Sequence, residues 1–96
     1  MNKQDILQYL KNHYQEFKQK YQVEQIGLFG SYARDEAKED SDIDIFVKMP
    51  PKAFNLIDIK EQLKNTFKKD IDIVRLRDNM NPYLYKRILK DGINAV

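Results

Sequence analysis

Between Lys3 and Tyr21 the apolar residues Ile6, Leu7, Leu10, Tyr14, Phe17 and Tyr21 recur at three- and four-residue steps, with Lys11, Glu16, Lys18 and Lys20 around the wetter side. That period predicts one amphipathic helix, and Asn2 or Asp5 suits its cap. The period then shortens. Val23 to Phe29 is an apolar run of strand character, with Ile26, Leu28 and Gly30 on one parity and Gly27 and Phe29 on the other. Gly27 weakens a strand interior; it either makes room for a packed side chain or bends the strand. A short helical segment, Tyr32 to Ala37, and a charged connection, Lys38 to Asp40, lead to a second strand, Ser41 to Met49. Successive strand residues face opposite ways. Ile43, Ile45 and Val47 therefore form a core row, and Asp42, Asp44 and Phe46 face the other side.

Pro50-Pro51 ends that strand, because proline cannot continue the ladder. A helix is expected over Ala53 to Phe67, buried through Leu56, Ile59, Leu63 and Phe67, with Ile57 beside them and Lys60, Glu61, Lys64 and Lys68 outside. Asp70 to Leu76 alternates again, Ile71 and Ile73 against Asp70, Asp72 and Val74. Asp78 to Asn81 is a turn and cap region, and Pro82 suits a first helical position. The last helix, Tyr83 to Lys90, offers Leu84, Ile88 and Leu89 to the core; Gly92 suits its C-terminal cap, and Ile93 to Val96 forms a short terminal strand. Helices interleaved with short strands predict an α/β (α+β) fold. We expect a small mixed sheet of three to four strands packed with about four helices, in a single domain over residues 1–96.

Composition narrows the function classes. Cysteine is absent, which excludes disulfides and thiolate metal sites. The 17 basic and 15 acidic side chains leave a formal charge of +2, too balanced to argue for nucleic acid binding by bulk charge. No run of the sequence reads as a signal peptide or a membrane span, so a cytoplasmic protein is the expectation.

The chemistry concentrates between Gly27 and Val47. Asp42 and Asp44 lie side by side on one strand face, and like charges gather unfavourably unless a cation lies between them. Mg²⁺ suits such a pair, because it takes oxygen ligands and shares them with substrate phosphates. Gly30 and Ser31 sit where a strand feeds a helix. Glycine lets a ligand approach the backbone, and the first amides of a helix can hold a phosphate. Ser31 either caps its own helix or joins that phosphate cradle. Arg34, one turn on, reaches a phosphate or pairs with Asp35, Glu36 or Asp40. Tyr32 reads as a solvent-side aromatic or a stacking surface, and His13 as an ordinary helix-surface or boundary residue rather than a general base. Tyr83 and Tyr85 are either packed or exposed to a protein contact, and Arg75 and Arg77 lie at a wet strand edge.

Gly30-Ser31, ten residues, then Asp42-Ile43-Asp44 matches the signature of the DNA polymerase beta-like nucleotidyltransferase superfamily. The strings GSYAR and SDIDIFV resemble its minimal nucleotidyltransferase branch, an antitoxin-like catalytic domain on its own. The resemblance covers nearly the whole chain. It implies that Gly30, Ser31 and Arg34 contact a nucleoside triphosphate, with ATP the donor favoured by family habit. It implies that Asp42 and Asp44 bind two Mg²⁺ ions, and that Asp72 is the third metal-binding and catalytic carboxylate. Asp70, on the same face, is the weaker candidate.

The leading expectation is a Mg-dependent nucleotidyltransferase that moves a nucleoside monophosphate, AMP from ATP, to a hydroxyl. Similar chains of this size work beside a small all-helical partner, often a ribonuclease toxin, and some adenylylate a tyrosine of it. A homodimer or hetero-oligomer would complete the open cleft. One alternative is a non-catalytic NTP-binding antitoxin that neutralises its partner by contact. Another is a transferase acting on a small molecule, against which the absence of a closing domain counts unless a dimer supplies one. No nucleic acid track and no membrane partner is expected.

Overall fold

The N-terminal stripe is buried as its period demands, but on two helices, not one. A computed structural model describes residues 1–96; in it α1 spans Lys3–Asn12 and α2 spans Tyr14–Tyr21. Ile6, Leu10 and Phe17 are fully buried and Tyr21 nearly so. The break falls at His13, whose φ of −102° and ψ of 5° leave the helical range. Its Nδ1 lies 2.9 Å from the Tyr9 carbonyl and its ring stacks on Tyr9 at 3.9 Å. His13 is thus a boundary residue with a partner one turn back. Asn2 caps α1 in a reciprocal box: Asp5 N–H donates to Asn2 Oδ1 at 3.0 Å, and Asn2 N–H donates to Asp5 Oδ2 at 3.2 Å.

The remaining elements are β1 (Gln25–Phe29), α3 (Gly30–Ala33), β2 (Ile43–Lys48), α4 (Ala53–Phe67), β3 (Ile71–Arg75), α5 (Pro82–Asp91) and β4 (Ile93–Asn94). The fold is a small mixed four-stranded sheet with five helices, in the strand order β3-β2-β1-β4. β1 pairs antiparallel with both β2 and β4. β2 and β3 are parallel and joined by α4, the helical crossover that parallel neighbours require.

Strand alternation separates two cores. Ile26, Leu28, Ile43, Ile45, Val47 and Ile71 face α1, α2 and α4, where they meet Ile6, Leu10, Phe17, Ile59 and Leu63. The opposite face is covered thinly, by Phe29 and Phe46 packed with Met80 and Ile88 of the α5 region. This second cluster holds four buried residues against seventeen in the first, and that face stays uncovered at Asp72. No helix is long and apolar enough to cross a membrane.

Gly27 lies opposite Phe46 in the β1–β2 register, and a Cβ there would run into the Phe46 ring and the Ile93 carbonyl. Room for a packed ring, not a bend, is what this glycine supplies. Gly92 closes α5, but with φ −66° it is not a left-handed cap; a Cβ there would meet the Ile88 carbonyl.

Three further expectations change. The helical segment after Ser31 is a single turn, because Arg34 leaves helical ψ and Asp35 turns left-handed at φ 58°. Tyr32 is not solvent-side: it is 5% exposed and packs in the main core. Leu89 is 66% exposed, because α5 turns Leu84 and Ile88 toward the sheet and leaves Leu89 outside.

Candidate active site

The β2–β3 register brings two carboxylates together from distant parts of the chain. Asp44 pairs with Asp72 across the parallel ladder, and Phe29, the last residue of β1, pairs with Asp44 from the other side. Side chains at paired positions share a face. Asp44 and Asp72 therefore lie next to each other on the open face, beyond the edge of the Phe29–Phe46 cluster. Asp72 is exposed and Asp44 half-buried. Asp42 precedes the first residue of β2 and is exposed.

The electrostatics reflect this grouping. Burial pushes the Asp44 carboxyl up to about 6, the neighbouring Asp72 carboxylate adds to the rise, and Asp42 contributes less. The positive charge of Arg87, on α5, opposes it. The rise comes first from burial and second from the neighbouring carboxylate, and a cation placed between Asp44 and Asp72 would oppose it.

Gly30 completes the geometry. Its φ is +75°, a backbone region that favours glycine. A Cβ built on it would run into the Asp44 carboxylate. The β1–α3 turn and the Asp44 side chain are therefore in direct apposition, with no side chain between them. Phe29 occupies the cap position of α3 and supplies no side-chain cap bond. Ser31 lies inside that single turn and is half-exposed; its carbonyl accepts from Glu36 N–H at 2.9 Å, and its hydroxyl makes no protein hydrogen bond. Capping does not account for Ser31.

The carboxylates do not form a ready-made cage, since no three acidic or histidine side chains converge closely enough to hold an ion by themselves. Mg²⁺ is commonly held by one or two carboxylates together with substrate phosphates and water. The adjacent Asp44 and Asp72, with oxygen-only donors and a glycine turn against them, fit that mode of binding.

Arg34 is occupied elsewhere. Its NH1 donates to Asp91 Oδ2 at 2.9 Å and its Nε to Glu36 Oε2 at 3.1 Å. The Asp91 pair ties the end of α3 to the end of α5, across 57 positions of sequence. Asp70 is exposed at the start of β3 and faces Lys64 at 3.7 Å. Arg75 donates to the Met49 carbonyl and Arg77 to the Arg75 carbonyl, at the far end of the sheet from Asp44. Sequence reading passed over Arg87 and Asp91. Both belong to a helix whose apolar stripe drew attention to Leu84 and Ile88; the available signal was their place beside that stripe, on the face turned toward the sheet.

The chain matches the family model "Polymerase beta, Nucleotidyltransferase" over residues 4–95. It is 37% identical over 91 residues to MJ0126 of Methanocaldococcus jannaschii, a candidate protein adenylyltransferase, covering 93% of both chains. It is 33% identical over 92 residues to the protein adenylyltransferase MntA of Thermococcus cleftensis, covering 94% of this chain and 92% of that one. Among solved structures, a candidate minimal nucleotidyltransferase superposes with a TM-score of 0.75 at 26% identity, covering 97% of this chain and 95% of that one. A chain from the complex of a tri-AMPylated Shewanella oneidensis HEPN toxin with MNT antitoxin shares the fold, at a TM-score of 0.65 and 22% identity over 94% of this chain and 71% of that one.

Proposed function

The chain belongs to the polymerase beta nucleotidyltransferase family, and from that premise we propose that it is an enzyme transferring AMP from ATP to a hydroxyl of a small helical toxin partner. The observation that carries this reading is the Asp44–Asp72 pair facing the Gly30–Ser31 turn. The adenylyltransferase relatives support AMP as the transferred group. The AMPylated toxin in the related complex supports a protein acceptor.

The roles follow from position. Ser31 offers an unengaged hydroxyl to the outer phosphates, and Gly30 lets them approach the backbone beside Asp44. Asp42, Asp44 and Asp72 would hold two Mg²⁺ ions, which when bound neutralise charge on the transferring phosphate and the leaving oxygens. The acceptor oxygen attacks the α-phosphorus. The bond from that phosphorus to the α–β bridging oxygen breaks, and pyrophosphate leaves with its electron pair. The hydroxyl proton passes to Asp72, the more exposed carboxylate, and on to water. Arg34 acts through Asp91, holding α5 beside the turn.

The open face explains the need for a partner. A site in which Asp72 is exposed admits water, and closure is how such sites exclude it. Tyr32 is buried and offers no docking surface, but α5 presents Tyr83 at 71%, Tyr85 at 43% and Leu89 at 66% exposure. A helical partner seated there and extending along α5 toward Asp44 would shield the site and bring its own tyrosine to it.

Intact mass spectrometry of a candidate small helical toxin partner, after incubation with this chain, ATP and Mg²⁺, tests the proposal. Adenylyl adducts are expected with the wild type and none with Asp42→Asn/Asp44→Asn. Neutralisation of the partner without any adduct would instead favour a non-catalytic antitoxin.

A further inference from the structure

One cation near the carboxylates has no counter-charge of its own. Lys3, Arg34, Lys48 and Lys64 each face a carboxylate. Arg75 and Arg77 donate to backbone carbonyls at the far end of the sheet. Arg87 takes part in none of these ion pairs or side-chain hydrogen bonds, yet it is half-buried.

Its placement is fixed from three directions. Ile88, the next residue, is buried against Phe29 and Phe46. Phe29 is the cross-strand partner of Asp44. Asp91, one turn further along α5, is held by Arg34 immediately after α3. At the other end of the helix Asn81 Oδ1 accepts from the N–H groups of Tyr83 and Leu84, so α5 is anchored at both termini.

A half-buried guanidinium without a partner is unfavourable. Holding it there is understandable when an anion completes it. The guanidinium presents planar paired donors that match phosphate oxygens two at a time. We propose that Arg87 is a phosphate-binding residue of this site, donating to the phosphate chain of the nucleotide from the α5 side, opposite the Gly30–Ser31 turn. This rests on the nucleotidyl-transfer reading and adds to it a cation supplied by the protein. The nucleotide's phosphates would then be gripped between the β1–α3 turn and α5, and the Arg34–Asp91 clasp would set the width of that grip.

The test is calorimetric, in Mg²⁺, with three probes: a non-hydrolysable ATP analogue, inorganic pyrophosphate and adenosine. Arg87→Gln is expected to weaken the ATP analogue and pyrophosphate about ten- to a hundred-fold, the scale of a hydrogen bond to a charged group. Adenosine binding should be unchanged, and Arg87→Lys should recover part of the loss. The melting temperature of each variant establishes that it is folded. If Arg87→Gln binds pyrophosphate as the wild type does, or loses adenosine equally, the assignment is overturned while the nucleotide reading survives. If the wild type binds neither the ATP analogue nor pyrophosphate, both fall together.

Discussion

Gly30 stands directly against Asp44: the left-handed backbone of the one and the carboxylate of the other leave no space for a Cβ between them. This contact joins the turn after β1 to the acidic strand face, two features that the sequence separates by a charged loop. Gly30→Ala should therefore fail in two ways. Strain at φ +75° costs about 1–3 kcal/mol, and the displaced Asp44 loses its place beside the phosphates. Urea unfolding reads the first effect and ATP-analogue titration the second. Affinity should fall even under conditions where the variant remains fully folded.

Ser31→Ala separates binding from capping. Phe29, not Ser31, occupies the cap position of α3, and the Ser31 hydroxyl bonds nothing in the protein. Stability should change by no more than about 0.5 kcal/mol. Affinity for the ATP analogue should fall about ten-fold or more, because a hydrogen bond to a charged phosphate is lost. Chemical denaturation and calorimetry on the same preparation check both numbers.

The Asp44 carboxyl sets a pH dependence of folding in the absence of metal. Burial first, and Asp72 second, raise it to about 6 from an unperturbed 3.8. Between those values the folded state holds a proton that the unfolded chain has released. The Asp44 contribution is therefore fully present below pH 3.8 and is lost as pH rises through about 6. Asp44→Asn removes this contribution. In EDTA, the melting temperature of the variant relative to wild type should rise from pH 4 to pH 7. Added Mg²⁺ should raise the wild type at pH 7 more than the variant.

Arg34→Ala tests the clasp between α3 and α5. The Asp91 side chain is 12% exposed, but Arg34 itself lies at the surface, so loss of the pair should lower the melting temperature only slightly. Hydrogen exchange should quicken in the last turn of α5 and at Gly92. Affinity for the ATP analogue should fall less than in Ser31→Ala, since the Arg34 guanidinium is already engaged with two carboxylates.

What the sequence disclosed depended on whether a feature is local. The α4 boundaries, the Asn81–Pro82 start of α5 and the alternation of β2 follow from periodicity and caps within one segment, and all are present. The match of Gly30-Ser31 to Asp42-Ile43-Asp44 disclosed the family, because strand, turn and strand lie within one short stretch. The break at His13 escaped because an apolar stripe carries no mark of where the backbone departs from helical ψ. Tyr32 was misplaced because a one-turn helix has no period to show its inner face; the main core receives it from outside that segment. The Arg34–Asp91 pair and the approach of Arg87 to Asp44 depend on how α5 crosses the sheet. The β1–β4 pairing, the Phe46 ring over Gly27 and the packing of Ile88, all contacts between distant segments, help set that crossing.

The central claim is that this site moves an adenylyl group from ATP onto a partner's hydroxyl. The most direct measurement uses two ATP samples, one labelled at the α-phosphate and one at the γ-phosphate, each incubated with the chain, Mg²⁺ and a helical toxin partner. Label should enter the partner only from the α-position, the γ-label should appear in pyrophosphate, and Asp42→Asn/Asp44→Asn should abolish both. Incorporation from the γ-position, or a partner neutralised with no label from either, would contradict the account.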